Sequence, residues 1–438
     1  MSAASEEPRR KPAGASAPAV VHVHISKRNL ALLALLLIAP WLVVTFLWTG
    51  DRLGRRHPVE ALPEGSQVVS EEVILGKPGP WGQLDYTPMT LSLPDEFVLV
   101  QPPDQPPVRW FFHGFSRDRA VEFLGAAGLS ANEMEEIAQR GKWTTSPEGV
   151  ALEPGDELIL TLAPDVRAKI YQQLVEFPEN QRQIDPIWFR PGHVEDRLTR
   201  SCLSAASLNL LKGLLYPQGP SLLLFADFEP ALRQLPDDAE RRRFIKAVQR
   251  KETLLVRLHV GPEADTDALA NYWGVGGRHK DILPLLRAAQ RVEKGVPMNI
   301  LLLLPQFARD HLYNHPFTTA GLDRVNQDCF WSSFNFFQGD APDDRFNDMA
   351  HVREVLQKDY YNIQGPSQLG DLVLLSTQGD TVIHAAVHLA DDLVFTKNGE
   401  SQTQPWLLMH QEDMIATYTV RHPLSGPLKP LYFRRKSL

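Results

Sequence analysis

The chain has 438 residues, 43% of them hydrophobic and 22% charged, enough to bury a real core in two or three domains. A formal net charge of −8, with no Arg/Lys stripe carrying interleaved aromatics, argues against a nucleic-acid partner, because neutralising phosphates takes a basic face. Two cysteines, Cys202 and Cys329, are too few for a disulfide framework or a four-cysteine zinc site, and no cofactor or metal is implied.

Residues 1–28 are small, polar and rich in Pro, Ala and Ser, and are expected to form a disordered cytoplasmic tail. His22 and His24 within it lack further ligands and read as solvated. Residues 30–49 (LALLALLLIAPWLVVTFLWT) carry no charge over 20 positions, which predicts a transmembrane helix over 29–50. Pro40 would kink it, and Trp48 suits an interface. The run is longer than the apolar core of a signal peptide, and no small-x-small site follows. Arg9, Arg10, Lys11, Lys27 and Arg28 precede the run, and Arg52, Arg55 and Arg56 follow it. That balance favours a single-pass protein of the inner (cytoplasmic) membrane with an extracytoplasmic body.

A linker is expected over 51–67, then a mixed α/β region of unassigned function over 68–305. Thirty-five prolines, many in short clusters such as Gln101-Pro102-Pro103, predict a loop-rich body. Strands and turns are expected over 68–108 and a helical stretch over 116–140, with Ser130 as a helix start. Further helices are expected over 164–175, 196–216 and 229–250, and strands or buried apolar segments over 253–260 and 297–304. No repeat, phosphate loop, dinucleotide fingerprint or HExxH helix occurs. Cys202 falls in a helical stretch with small neighbours and reads as a packing cysteine. His311 and His315 stand four apart, but Pro316 disfavours a helix through both, and no third metal ligand is evident.

The C-terminal region 306–438 holds the candidate chemistry. Residues 326–337 read NQDCFWSSFNFF. Phe330, Phe334 and Phe337 recur at helical spacing, which predicts an amphipathic helix with Cys329 at its N-terminus. There the helix dipole and unpaired N–H groups favour a thiolate and can hold an oxyanion. A buried structural cysteine is the alternative. Further on, Gly370-Asp371-Leu372-Val373 enters a buried strand, VIHAAVHL over 382–389 is a second, and LVFTK over 393–397 is its partner, an antiparallel meander. Two-fold alternation puts His384, Ala386 and His388 on one face. Alanine beside His384 leaves room for a reacting group.

These residues resemble the NlpC-type cell-wall peptidases. Asp328-Cys329 matches the Asp-Cys at a helix start, Gly370-Asp371-Leu372-Val373 the strand entry, and His384-Ala385-Ala386-Val387-His388-Leu389 the histidine-led strand. The resemblance covers roughly a quarter of the chain. It implies an α+β architecture with a C-terminal papain-like domain, its Cys-bearing helix packed on an antiparallel sheet. It also implies that Cys329 is the nucleophile and His384 the general base, with a polar residue on the next strand orienting the imidazole. By hairpin geometry Asn398 is the first choice and Thr396 the alternative. Family members often carry a histidine there, and Phe330-Trp331 replaces their usual Ser-Gly. The implied substrate is a peptidoglycan or other envelope peptide, although the apolar Phe330-Trp331 pair leaves an acyl-lipid open. His388 shares the face and could compete as the base. The competing reading is a catalytically inactive papain-like domain serving as a binding or scaffold module.

Overall fold

The computed structural model describes residues 73–100, 106–198, 201–219, 222–316, 327–339, 341–422 and 425–438. The chain divides into two units, Met1–Ser70 and Glu71–Leu438, and every described residue belongs to the second. The expected tail (1–28), transmembrane helix (29–50) and linker (51–67) lie outside the described residues. The body is α+β, but the expected architecture is corrected in one respect, the transmembrane helix. No helix among the described residues is long and apolar enough to cross a membrane. The longest, Asp238–Gln249 and His279–Gln290, have 12 residues each. At 1.5 Å per residue that is about 18 Å, against a hydrocarbon core of about 30 Å.

The strands are, in chain order, β1 (Ile74–Leu75), β2 (Gln83–Leu91), β3 (Trp110–His113), β4 (Lys142–Ser146) and β5 (Gly149–Glu153). Then come β6 (Ile187–Phe189), β7 (Tyr216–Gln218), β8 (Leu222–Phe225), β9 (Lys251–Val260) and β10 (Val296–Asn299). The C-terminal region adds β11 (Tyr360–Ile363), β12 (Leu372–Ser376), β13 (Val382–Ala390), β14 (Leu393–Lys397), β15 (Trp406–His410) and β16 (Lys429–Arg435). They form four antiparallel sheets ordered β1-β2-β9-β10, β3-β5-β4, β6-β8-β7 and β11-β16-β12-β13-β14-β15.

Several expected helices are interrupted, each at an identifiable signal. The stretch 116–140 is two helices, Arg117–Ala127 and Ala131–Arg140. Gly128 closes the first at a left-handed φ of 113°, and Ser130 opens the second with a capping box to Glu133. The stretch 229–250 breaks at Leu235-Pro236, and the Asp237 side chain caps the next helix by accepting from Glu240 N. The stretch 196–216 breaks as well. Cys202 falls between the helices Val194–Leu198 and Ala205–Gly213, with a φ of 56°. It is exposed, not the packing cysteine expected, and neither cysteine is in a disulfide.

Strands β12–β15 of the large C-terminal sheet are buried on both faces, which is why they read as near-continuous hydrophobic runs. Leu372, Leu374, Ala385, Val387 and Phe395 face a core that includes the Cys329 helix (Cys329–Phe334). Val373, Leu375, Ala386, Val394 and Met409 face a second core under Met414 and Tyr418 of the helix Gln411–Arg421. The first core continues through Leu84, Tyr86, Val256 and Leu258 of β2 and β9, so residues on both sides of position 305 share it. Thr253 fastens β9 to β15. Its hydroxyl donates to Leu408 O at 2.9 Å and accepts from Leu408 N at 3.0 Å.

The Gly370-Asp371 entry has a structural explanation. Gly370 adopts a φ of 95°, and a Cβ there would lie 2.3 Å from the Phe337 ring. Only glycine lets the aromatic stretch after Cys329 lean on the start of β12. Asp371 accepts from Ser367 N, from Gln368 N and, in bidentate fashion, from Arg434 of β16 at 2.7 Å on each oxygen.

Candidate functional site

The Cys329 helix begins as expected and ends early, after six residues. The Asp328 side chain caps it by accepting from Trp331 N at 2.8 Å. Ser332 Oγ donates to Asp328 O at 2.6 Å and accepts from Trp406 Nε1 at 2.7 Å, which ties the first turn to β15. Cys329 is 6% exposed within the main core. Its thiol is not lowered as the helix-start position predicts. Burial, and secondarily the Asp328 carboxylate, push it up to about 12, while the N–H groups of Ala385 and Cys329 and the Lys397 ammonium pull weakly the other way. A helix of a turn and a half adds little opposing field.

His384 is fully buried on β13. Its Nε2 lies 2.8 Å from Thr396 Oγ1, and its ring stacks on Tyr418 at 4.0 Å between centroids and 22° between planes. Nδ1 has no hydrogen-bond partner. Burial, aided by the Arg421 charge, holds the imidazole well below its usual range, so it is neutral at pH 7. Tyr418 fills the space that alanine at position 386 was expected to leave open.

The two expected orienters separate cleanly. The β13–β14 ladder pairs Val387 with Phe395 and does not continue to His384. Where the strands part, Thr396 reaches the imidazole, so the alternative is the residue that holds it. Asn398 does not bond His384. Its Nδ2 donates to Met409 Sδ at 3.6 Å, and its carbonyl accepts from Arg421 at 3.2 Å. The expected pair, Cys329 and His384, lies on neighbouring ground without a hydrogen bond between them. Cys329 packs with Ala385 and Val387, whereas His384 shares the opposite parity with Ala386 and meets Tyr418. His388 also lies buried, both ring nitrogens unpartnered, its imidazole pulled down to about 4 by burial.

Other candidates fall away. His311 ends the helix Gln306–His311, and its Nδ1 lies 2.8 Å from Phe307 O, while His315 lies beyond that helix. Among the described residues no group of three or more His, Cys, Asp or Glu side chains is placed to hold a metal ion. Sequence reasoning missed Tyr418, Arg421 and Lys397. The signal for Lys397 was its parity with Phe395 on a strand apolar on both faces.

Chemically, the site holds a protonated thiol and a neutral imidazole with one nitrogen fixed and the other open. With the proton on Nε2, the ring donates to Thr396 Oγ1 and Nδ1 keeps a lone pair that can receive a proton. No family model, no curated protein and no solved structure matches the chain.

Proposed function

We propose that this protein is a papain-like thiol hydrolase in which Cys329 is the nucleophile, His384 the base and Thr396 the residue that orients the imidazole. One observation carries the reading: a fully buried histidine is held at Nε2 by Thr396 and left open at Nδ1, next in sequence to Ala385, which packs in the same core as Cys329. An orphaned ring nitrogen in a core costs about 1–3 kcal/mol, and a general base needs one nitrogen free to take a proton. Turnover requires Cys329 Sγ to come within hydrogen-bond reach of His384 Nδ1, a contact the resting structure does not make; the Sγ proton then passes to His384 as Sγ bonds to an amide or ester carbonyl carbon. The bond to the leaving amine or alcohol then breaks, and the leaving group takes that proton from His384. Water cleaves the thioester, releasing the acid and restoring the thiol. The substrate class suggested by the resemblance to NlpC-type enzymes is a peptide amide of the peptidoglycan type.

The test is hydrolysis of peptidoglycan fragments and of simple thiol-hydrolase substrates by the intact chain and by Cys329→Ala and His384→Ala. We expect a loss of at least about a hundredfold in each variant. Undiminished turnover in Cys329→Ala ends the proposal. A second reading, an inactive papain-like domain used as a binding or scaffold module, is favoured by the burial of the thiol and its rise to about 12. It predicts no turnover and no labelling of Cys329 by a thiol probe in the folded protein.

A further inference from the structure

β14 carries a lysine into the interior. Lys397, its last residue, is 0% exposed and pairs with Trp406 across the β14–β15 ladder. It has the parity of Phe395, which packs in the core shared by Cys329, Trp331 and Trp406. Its ammonium donates to Gly399 O at 2.6 Å and Ser401 O at 3.1 Å and lies 5.9 Å from the centre of the Trp406 ring. An ammonium has three N–H donors, and these two carbonyls take two of them. Trp406, the aromatic floor beneath the charge, is itself bonded through Ser332 to the first turn of the Cys329 helix. Lysine and nucleophile are thus fastened to the same piece of structure.

A desolvated ammonium costs several kcal/mol, and a methionine of similar volume would cost nothing of the kind. Cys329, Asp328 and Glu400 support the Lys397 charge, against burial that pulls it down to about 8, and His315 feels it from the other side. Asp328 and Lys397 act on the thiol with opposite signs, and Cys329 in turn acts on Tyr418. Arg421 is the charge that faces His384.

We propose that Lys397 is the counter-charge of the nucleophile: its buried ammonium stabilises the negative charge that forms on Cys329 Sγ when the thiol proton moves to His384 Nδ1. The inference rests on the hydrolase reading. Below about pH 8 Lys397 carries its charge, makes no covalent bond and acts through the field it sets at sulfur. Its loss therefore shifts the thiol's acidity, whereas a purely structural lysine would shift only stability.

The experiment is alkylation of Cys329 by iodoacetamide, followed by peptide mass spectrometry from neutral to alkaline pH, in a Cys202→Ser background. Lys397→Met should slow alkylation at least about tenfold between pH 7 and about pH 8, where the ammonium is charged, with the melting transition retained. Lys397→Arg should recover most of the rate. Equal rates below about pH 8 in Lys397→Met overturn the proposal. If Lys397→Met does not fold, Lys397→Arg decides alone. Arginine keeps its charge above about pH 8, where Lys397 loses it, so the arginine protein should alkylate more readily there. Identical profiles overturn the proposal. Alkylation that ignores position 397 leaves the hydrolase reading standing. Failure to alkylate Cys329 in the folded Cys202→Ser parent sinks that reading, and this one with it.

Discussion

Two sets of buried charged or titratable side chains, one in the middle region and one on β13 and β14, are treated in opposite ways. In the middle region, Arg167 and Asp227 are almost wholly inaccessible, with Arg167 Nε 2.9 Å from Asp227 Oδ2. The guanidinium also donates to Gly213 O and Ile159 O, and the Tyr171 hydroxyl donates to Asp227. That cluster is charge-paired, guanidinium against carboxylate, although Arg167 Nε and Asp227 Oδ2 form no aligned hydrogen bond. In the C-terminal sheet, His384 keeps Nδ1 open and His388 both ring nitrogens, while the Lys397 ammonium donates to two carbonyls over the Trp406 ring. A charge-paired cluster secures a core. An open one pays in stability for groups that can still take a proton or face a new charge.

The largest effect that would break this comparison is at Asp227. Asp227→Ala leaves Arg167 buried without its counter-charge and should cost about 3–5 kcal/mol in urea unfolding. A cost near zero would mean that the cluster is not structural. The next test uses acid. The His388 imidazole is pulled from 6.5 to about 4 in the folded state, so the unfolded chain binds the proton first as pH falls. Its contribution is fully present above pH 6.5 and is lost as pH falls toward 4, on the order of 3 kcal/mol in all. Asp227, raised to about 6 mainly by burial, tilts the other way, its contribution lost as pH rises through that value. His388→Leu should therefore flatten the acid limb of a stability–pH curve, and an unchanged limb would remove His388 from the account. The smallest effect is at Thr396. Thr396→Val leaves both nitrogens of His384 unpartnered, which should lower stability by about 1–3 kcal/mol and reduce hydrolysis through imidazole orientation. Full activity in that variant would take Thr396 out of the site.

The C-terminal meander was legible because its strands are apolar on both faces and its turns are marked, Asp391 taking a φ of 52° between β13 and β14. Strand parity likewise brought Thr396 within the candidates. Parity could not choose between Thr396 and Asn398, because the choice depends on where the ladder stops. Nor could a local window show that β9 packs with β15, or that β16 lies between β11 and β12, since both are long-range pairings. The acidity of Cys329 was misread for a physical reason. Its position at a helix start was visible, whereas its depth and the shortness of that helix were not. Helices were overextended wherever a single turn signal, such as Gly128 or Pro236, interrupted an apolar period.

The place of β16 has a consequence for how the protein is made. It is the last of the six strands in sequence, yet it lies between β11 and β12, with Arg434 locked on Asp371. During vectorial synthesis, β12 to β15 emerge as a meander whose β12 edge has no neighbour until residues 429–435 leave the ribosome. That edge, Leu372–Ser376, is apolar but for Ser376 and is the kind of strand that recruits other chains. The sheet bearing the histidines and Lys397 can therefore close only after translation has passed its last strand, so a stalled or clipped chain would present an adhesive half-sheet in place of a site.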